Sequence, residues 1–436
     1  MRNVECGMRN DSPHPFPPPQ GGRAGEGETP NRDNIVVTGI GVISACGIGK
    51  EAFWKSCVEG RSGIRPIQSF DTSAYRSHLG GEARDFNPKD FMPPLKYRRM
   101  SRVSRLAVAA SIEAIQDANL EVTPESAPAI GVVLGTGYGS TAQTDEFFVG
   151  MLKEGPEGAN PSLFPDTVPN APASQVSIYH GLQGPHTTFS HNEASGEQAL
   201  AYAFRLLQED RAQVVLAGGV DELSFVLFHS FAVLRALSPR NGYEEGMRPF
   251  DRRRNGRVLG EGAGILVLEK ESGAQERGAR VYGSLAACAS TGSPVGTSRY
   301  EAGAEQMARA MEKTLDHAGI SADRVDYLSA ASNSTQELDR AEARAIRKVF
   351  GGGRRLPAVS SLKGHTGDFC ASGGVRAAAV LLAMQHGKIP PTLGLKEPEF
   401  DLDHILDEPK DRTIRHALLN GFSFGGSNVC LLFKNE

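Results

Sequence analysis

The sequence predicts an α/β fold built from two pseudo-duplicated halves. From Asn34 onward, short β-branched runs alternate with helical patterns, and several of these runs stop at glycine turns. Two strand–turn–helix units open their helices alike, with Ala-Ser-Gly. Such alternation belongs to sheets whose two faces are both covered by helices.

The chain has 436 residues, enough for one large domain or two fused ones. Residues 1–33 stand apart. Their stretch SPHPFPPPQGGRAGEGETPNRD offers almost nothing to bury and cannot offset its own ordering entropy, so it reads as a disordered leader. Ile35-Val36-Val37-Thr38 reads as the first strand, ended by Gly39-Ile40-Gly41. Ser104 to Ala118 has the period of an amphipathic helix. Ile130 to Leu134 is a second strand, ended by Gly135-Thr136-Gly137, and Gln213 to Leu216 a third, ended by Gly218-Gly219.

The repeated units are Thr187–Ser190 followed by a helix over Glu197–Leu207, and Ala358–Ser361 followed by a helix over Val375–Gln385. Both helices are apolar on nearly every face, which predicts burial inside a large protein. The halves are expected to meet in the charged stretch Glu271–Arg280, giving segments 34–275 and 276–436.

Lys and Arg total 47 against 51 Asp and Glu, a formal net charge of −4. That balance argues against a phosphate-tracking surface, so no nucleic acid partner is expected. No window approaches the ~20 apolar residues of a membrane span, and the N-terminus has no apolar signal core. The six cysteines are scattered, without metal-ligand spacing, and suit a reducing cytoplasm; no metal is expected.

A sharp turn between a strand and a buried helix presents one side chain to the helix N-terminus, where unpaired N–H groups favour a thiolate or an oxyanion. Acyl-transfer enzymes place Cys or Ser at such an elbow. Here the elbow reads Phe189-Ser190-His191-Asn192-Glu193-Ala194-Ser195-Gly196 and holds no Cys.

Four stretches carry a resemblance: VVTGIGVISACGIG at the start, RPFDRRRNGRVLGEGAGILVLE from Arg248 to Glu269, VSSLKGHTGD from Val359 to Asp368, and NGFSFGGSN from Asn420 to Asn428. Together they resemble the β-ketoacyl synthases, which have the thiolase-like fold, an α-β-α-β-α layered unit. The resemblance runs from Ile35 to Phe433. It implies no cofactor; acyl chains arrive on the phosphopantetheine of an acyl carrier protein.

The family's catalytic triad is Cys-His-His, and the sequence departs from it three times. Glu193 stands where the family has the nucleophile, Ala331 where it has the first His, and Asp368 where it has the second. Lys363 and the acidic pair Asp339 and Glu342 are retained. Claisen condensation needs a thiolate to accept the acyl group and imidazole donors for the enolate. None of the three replacements supplies these, so no catalytic triad is intact.

The resemblance extends to the chain-length factor, the ketosynthase β subunit of type II polyketide synthases. That branch pairs with a cysteine-bearing α subunit and shapes the acyl tunnel. The segments Glu337–Ala343 and Val168–Ala173 look like it. Its members usually carry Gln at the nucleophile position, so Glu193 also leaves room for a polyene or fatty-acid-like system. The expectation is a non-condensing, cytoplasmic subunit of a ketosynthase heterodimer that meets the carrier protein directly or through its partner. Two alternatives stay open: an enzyme using Glu193 for decarboxylation or thioester hydrolysis, and a homodimeric acyl-binding pseudoenzyme with a regulatory role.

Individual residues have plainer readings. A carboxylate at a helix N-terminus is worth ~0.3–1 kcal/mol and needs no further task, which suffices for Glu193. Cys370 opens a buried helix but reads as a small core residue. His365 reads as packed or partly exposed, and His191 as satisfying local hydrogen bonds. Lys363 is expected to pair with Glu342 or Asp368. Phe424, followed by Gly425 and Gly426, matches the family's gating Phe and equally suits core packing.

Overall fold

The computed structural model describes residues 33–353 and 355–435. The leader expected over residues 1–33 lies outside them except for Asp33, whose carboxylate accepts from Ser272 N at 3.3 Å.

The principal strands of the first half are β1 (Ile35–Ser44), β2 (Ile130–Gly135), β3 (His186–Phe189), β4 (Val214–Asp221) and β5 (Gly262–Lys270). Those of the second are β6 (Gly283–Gly292), β7 (Tyr327–Ser329), β8 (Ala358–Ser360), β9 (His416–Phe422) and β10 (Ser427–Lys434). In space the first five run β3-β2-β4-β5-β1 and the second five run β8-β7-β9-β10-β6, the same order twice. In each half the strands of the first two pairs are parallel and those of the last two antiparallel. The halves join where Val36 and Val37 of β1 meet Ser284 and Gly283 of β6.

Helices repeat with the strands: α1 (Arg102–Asp117), α2 (Ala171–His180) and α3 (Ser195–Gln208), then α4 (Glu305–Ala318), α5 (Gln336–Phe350) and α6 (Gly373–His386). α1 and α2 cover the outer face of the first sheet, and α4 and α5 that of the second. α3 and α6 lie between the sheets in the largest core cluster. The result is the α-β-α-β-α layering of a thiolase-like fold.

α6 is buried from Gly373 to Met384, with Gln385 and His386 at its C-terminal end exposed. α3 departs from the all-round apolar expectation, since Arg205 and Gln208 reach solvent at its C-terminal end. Side-chain oxygens cap the outer helices: Ser101 accepts from Ser104 N at 3.3 Å, and Thr335 from Leu338 N at 3.4 Å.

Two strand ends differ from the sequence expectation. β1 continues through Gly39 and Gly41 to Ser44, and β4 through Gly218 and Gly219 to Asp221. These glycines permit close packing rather than turning the chain. A Cβ on Gly41 would stand 1.8 Å from Ala110 O of α1, and one on Gly219 would stand 2.2 Å from Ala371 O. The stretch Glu271–Arg280 also differs, folding in part as a short helix, Glu271–Glu276. Ala274 is buried there, and Arg277 turns back to donate to Glu269 Oε2 at 2.9 Å and Ala118 O at 2.7 Å.

Candidate functional site

β3 runs into the elbow through a 3₁₀ turn over Asn192–Ala194, from which α3 starts. Asn192 takes φ +49°, a left-handed conformation that Asn tolerates well. Ser195 Oγ ties the turn by accepting from His191 N at 2.9 Å and donating to Asn192 O at 2.7 Å. The turn drives Glu193 inward, leaving it 2% exposed.

Three donors meet the Glu193 carboxylate. Arg257 Nη1 reaches Oε1 at 2.9 Å, the Tyr300 hydroxyl reaches the same oxygen at 2.8 Å, and Phe424 N lies 3.3 Å from Oε2. Arg257 Nη1 is also 3.2 Å from Asp368 Oδ2. Lys363 Nζ lies 2.7 Å from the other oxygen of Asp368, and Asn333 Nδ2 donates to Oδ2 at 2.9 Å. Two carboxylates and two cations thus alternate as Glu193, Arg257, Asp368 and Lys363, all buried. A buried ion network is tolerated when each charge has partners, as here.

Backbone pairing aligns the two halves of the network. Asp368 N donates to Val258 O at 2.8 Å, and Gly260 N donates to Asp368 O at 3.0 Å, which sets Arg257 beside Asp368. Gly256, at φ +124°, lets the chain enter this register; a Cβ there would meet Leu237 C at 2.7 Å. Burial opposes the charge of Asp368, but Lys363 and Arg257 override it and hold the carboxyl below its ordinary range. Burial, then Glu193, pushes the Tyr300 phenol well up, so it donates as a neutral hydroxyl.

The other residues singled out by sequence lie around this network. Ala331 is buried and offers only its backbone N–H, which donates to Glu342 Oε1 at 2.9 Å. Glu342 also accepts from Ser332 N at 2.7 Å and Asn420 Nδ2 at 2.9 Å. Lys363 therefore has Asp368, not Glu342, as its partner. Phe424 is half-buried, its ring set edge-on to Tyr300 at 6.3 Å. Gly425 and Gly426 follow at φ +81° and +85°, and a Cβ on Gly426 would stand 2.1 Å from Ser293 O.

His191 is exposed, with Nδ1 3.4 Å from Ser427 Oγ rather than on Glu193. His365 is fully buried, and its two ring nitrogens face Pro391 O at 3.0 Å and Arg61 O at 3.2 Å. Cys370 is buried, and burial followed by Glu193, Asp221 and Asp368 pushes its thiol far up, so it remains an un-ionised thiol. It lines a cavity of about 10 Å³ with Tyr138, Asp221, Phe231, Arg257 and Asp368, far below the ~300–1,000 Å³ of most ligand pockets.

Arg257 and Tyr300 escape the sequence reading. The last Arg of DRRRNGR, directly ahead of the buried Val258–Gly264 run, was the available signal for the first. Nothing in the sequence around Tyr300 marks it.

Asp339 offers a direct test of these electrostatics. It accepts from Phe250 N at 2.7 Å and Asn333 N at 2.9 Å, with Arg254 Nε at 3.8 Å. Burial outweighs these partners and pushes its carboxyl up to about 7. An unfolded Asp ionises near ~3.9, so between roughly pH 4 and 7 the folded chain holds the extra proton. This contribution to stability is whole below the unfolded value and is lost as pH rises through the folded one. Asp339→Asn removes the titration, so its cost relative to wild type should be largest near pH 4 and shrink by pH 8 in urea denaturation series. A cost that grows with pH would contradict a raised Asp339.

Among the described residues no cluster of three or more His, Cys, Asp or Glu side chains is arranged to hold a metal ion. Nor is any helix among them long and apolar enough to cross a membrane.

Comparison with known proteins places this geometry. Residues 32–274 match the β-ketoacyl synthase N-terminal domain, and residues 282–396 the C-terminal domain. The chain is 36% identical over 408 residues to 3-oxoacyl-[acyl-carrier-protein] synthase 2 of Synechocystis sp., covering 92% of this chain and 98% of that one. The enzyme of the same name from Staphylococcus aureus is 34% identical over 404 residues, with the same two coverages. Among solved structures, the ishigamide ketosynthase/chain length factor aligns with TM-score 0.86 at 29% identity. A β-ketoacyl synthase from Burkholderia phymatum aligns with TM-score 0.86 at 30% identity. Each of these two alignments covers 93% of this chain and 100% of the other. On these matches, and on a layered unit whose strand order repeats in its two halves, the chain belongs to the β-ketoacyl synthase family.

Proposed function

We propose that the chain is a non-condensing, ketosynthase-like subunit of chain-length-factor type. It pairs with a cysteine-bearing ketosynthase and shapes the tunnel that receives the growing acyl or polyketide chain. The observation that carries this reading is the elbow itself: Glu193 takes the position of the family's nucleophile, and its carboxylate is held by Arg257, Tyr300 and Phe424 N. A carboxylate in that state makes no stable thioester-like acyl enzyme. Ala331 and Asp368, at the positions of the two imidazoles, do not help an enolate. The first has no side-chain donor, and the second carries negative charge where negative charge would develop. The relatives with which this chain shares about a third of its sequence are named 3-oxoacyl-[acyl-carrier-protein] synthase 2.

Pairing is supported by the surface around β3. That strand ends the first sheet, leaving its outer edge without a partner among the described residues. The nearby segment exposes Phe148, Leu152, Phe164 and Ile178, apolar area of the kind that marks a protein interface. The ishigamide ketosynthase/chain length factor is a precedent by name, and another similar structure is that of a type II PKS acyl-carrier protein in complex with its ketosynthase. The carrier protein is accordingly the donor of acyl groups to the pair.

The test is co-expression with a cysteine-bearing ketosynthase, followed by gel filtration and intact-protein mass spectrometry after exposure to acyl carrier protein. The two chains should elute together, with acyl mass on the partner and none on this chain. Separate elution, or an acyl group carried and elongated by this chain alone, would sink the reading. Glu193→Gln should leave product formation by the pair unchanged; collapse of turnover with the pair intact would instead assign chemistry to Glu193.

A further inference from the structure

We infer that Glu193 is a latch that holds two loops shut over the elbow and so bars this chain's own site to a carrier-borne acyl group. The inference deepens the non-condensing reading and rests on it for what is barred. The loops are 293–302, between β6 and α4, and the glycine loop 423–427, which runs from the end of β9 to the first residue of β10.

Glu193 touches both loops. The Tyr300 hydroxyl from the first donates to Oε1 at 2.8 Å, and Phe424 N from the second lies 3.3 Å from Oε2. Arg257 fixes the same carboxylate at 2.9 Å and sits 3.2 Å from the Tyr300 hydroxyl through Nη2, so the carboxylate is not free to follow a departing loop. The loops also hold each other: Gly425 N donates to Arg299 O at 3.0 Å and Ser293 N to Gly426 O at 2.8 Å. Their other anchors lie at the loop ends, where Ser293 and Ser423 are buried, Asn428 Nδ2 donates to Ser293 Oγ at 2.9 Å and Arg344 Nη1 donates to Ala302 O at 2.7 Å. Most residues from Pro294 to Arg299 are exposed, as is Gly425. A segment with few buried contacts opens locally at low cost unless something fastens it. The fastening here is a charge-assisted pair of hydrogen bonds on a buried anion, stronger than bonds between neutral groups.

The arrangement gives the elbow carboxylate a task that needs no turnover. A neutral side chain at position 193 would leave Tyr300 and Phe424 N without a charged acceptor, and both loops would open over the elbow.

Hydrogen–deuterium exchange on the full chain tests the latch, using Tyr300→Phe, which keeps the ring and removes one hydroxyl, and Glu193→Ala. Amides in 293–302 and 423–427 should exchange about tenfold faster in Tyr300→Phe and faster still in Glu193→Ala, the scale expected for losing one or two hydrogen bonds to a charged acceptor. Amides of α6 should keep their wild-type protection. Wild-type rates in both loops of both variants overturn the latch. So does equal acceleration in α6, which would report general loosening rather than a local release. Acyl loading of this chain would overturn the non-condensing reading while leaving the exchange result standing, so the two fail separately.

Discussion

Arg257→Ala should lower the stability of the chain by about 3–5 kcal/mol at neutral pH, the range for removing one partner of a buried ion pair. Arg257 touches both of the site's buried carboxylates, Glu193 at 2.9 Å and Asp368 at 3.2 Å. Without it, Lys363 still serves Asp368, but Glu193 keeps only the Tyr300 hydroxyl and Phe424 N. An anion in the interior with two neutral donors is under-compensated. The double variant Arg257→Met with Glu193→Gln removes one charge of each sign and fills the volume, so it should recover much of the loss. The recovered part is the coupling between the two groups, expected above ~1 kcal/mol for residues in direct contact. Chemical denaturation of Arg257→Met, Glu193→Gln and the double gives the cycle. A single-variant loss under ~1 kcal/mol would mean that water reaches the carboxylates, against the burial on which the site is built.

Gly264→Ala should cost about 3 kcal/mol or more, at or above the upper end for overpacking a core. Gly264 lies in β5, where the sequence reads GEGAG, and the backbone at the start of α6 crosses directly over it. A Cβ at Gly264 would stand 2.1 Å from Val375 N and 2.3 Å from Gly374 C. Both are backbone atoms of a helix buried on every side, so neither can swing away. Gly242 is the control: nothing stands within 4 Å of a Cβ there, and Ala should be close to neutral. The readout is the denaturation midpoint together with soluble yield. A midpoint for Gly264→Ala equal to wild type would mean that α6 can lift from the sheet, and with it Asp368 and Cys370 at its entrance.

The elements were mostly legible in the chain. Strand and helix existence followed from periodicity, and β2 with α3 and α6 came within a few residues of their bounds. The errors came from reading glycine as a stop. Gly39, Gly41, Gly218 and Gly219 sit inside strands because a helix or a neighbouring strand passes too close for any side chain. That is a long-range fact: Gly41 answers to Ala110, and Gly219 to Ala371. Local propensity carries no record of such a neighbour.

The site divides in the same way. Glu193, Ala331, Lys363 and Asp368 could be picked out by position in recurring motifs, each as an isolated substitution. Their joint meaning could not, because it depends on Arg257 and Tyr300, which lie 64 and 107 residues from Glu193 along the chain. The order and types of the residues determined a duplicated layered fold and an elbow without sulfur. Only the tertiary packing decided that the carboxylate at that elbow would be buried, neutralised by an arginine of its own half and fastened to two loops of the other. Electrostatic compensation acts through space over a few ångströms, and sequence separation does not measure that distance.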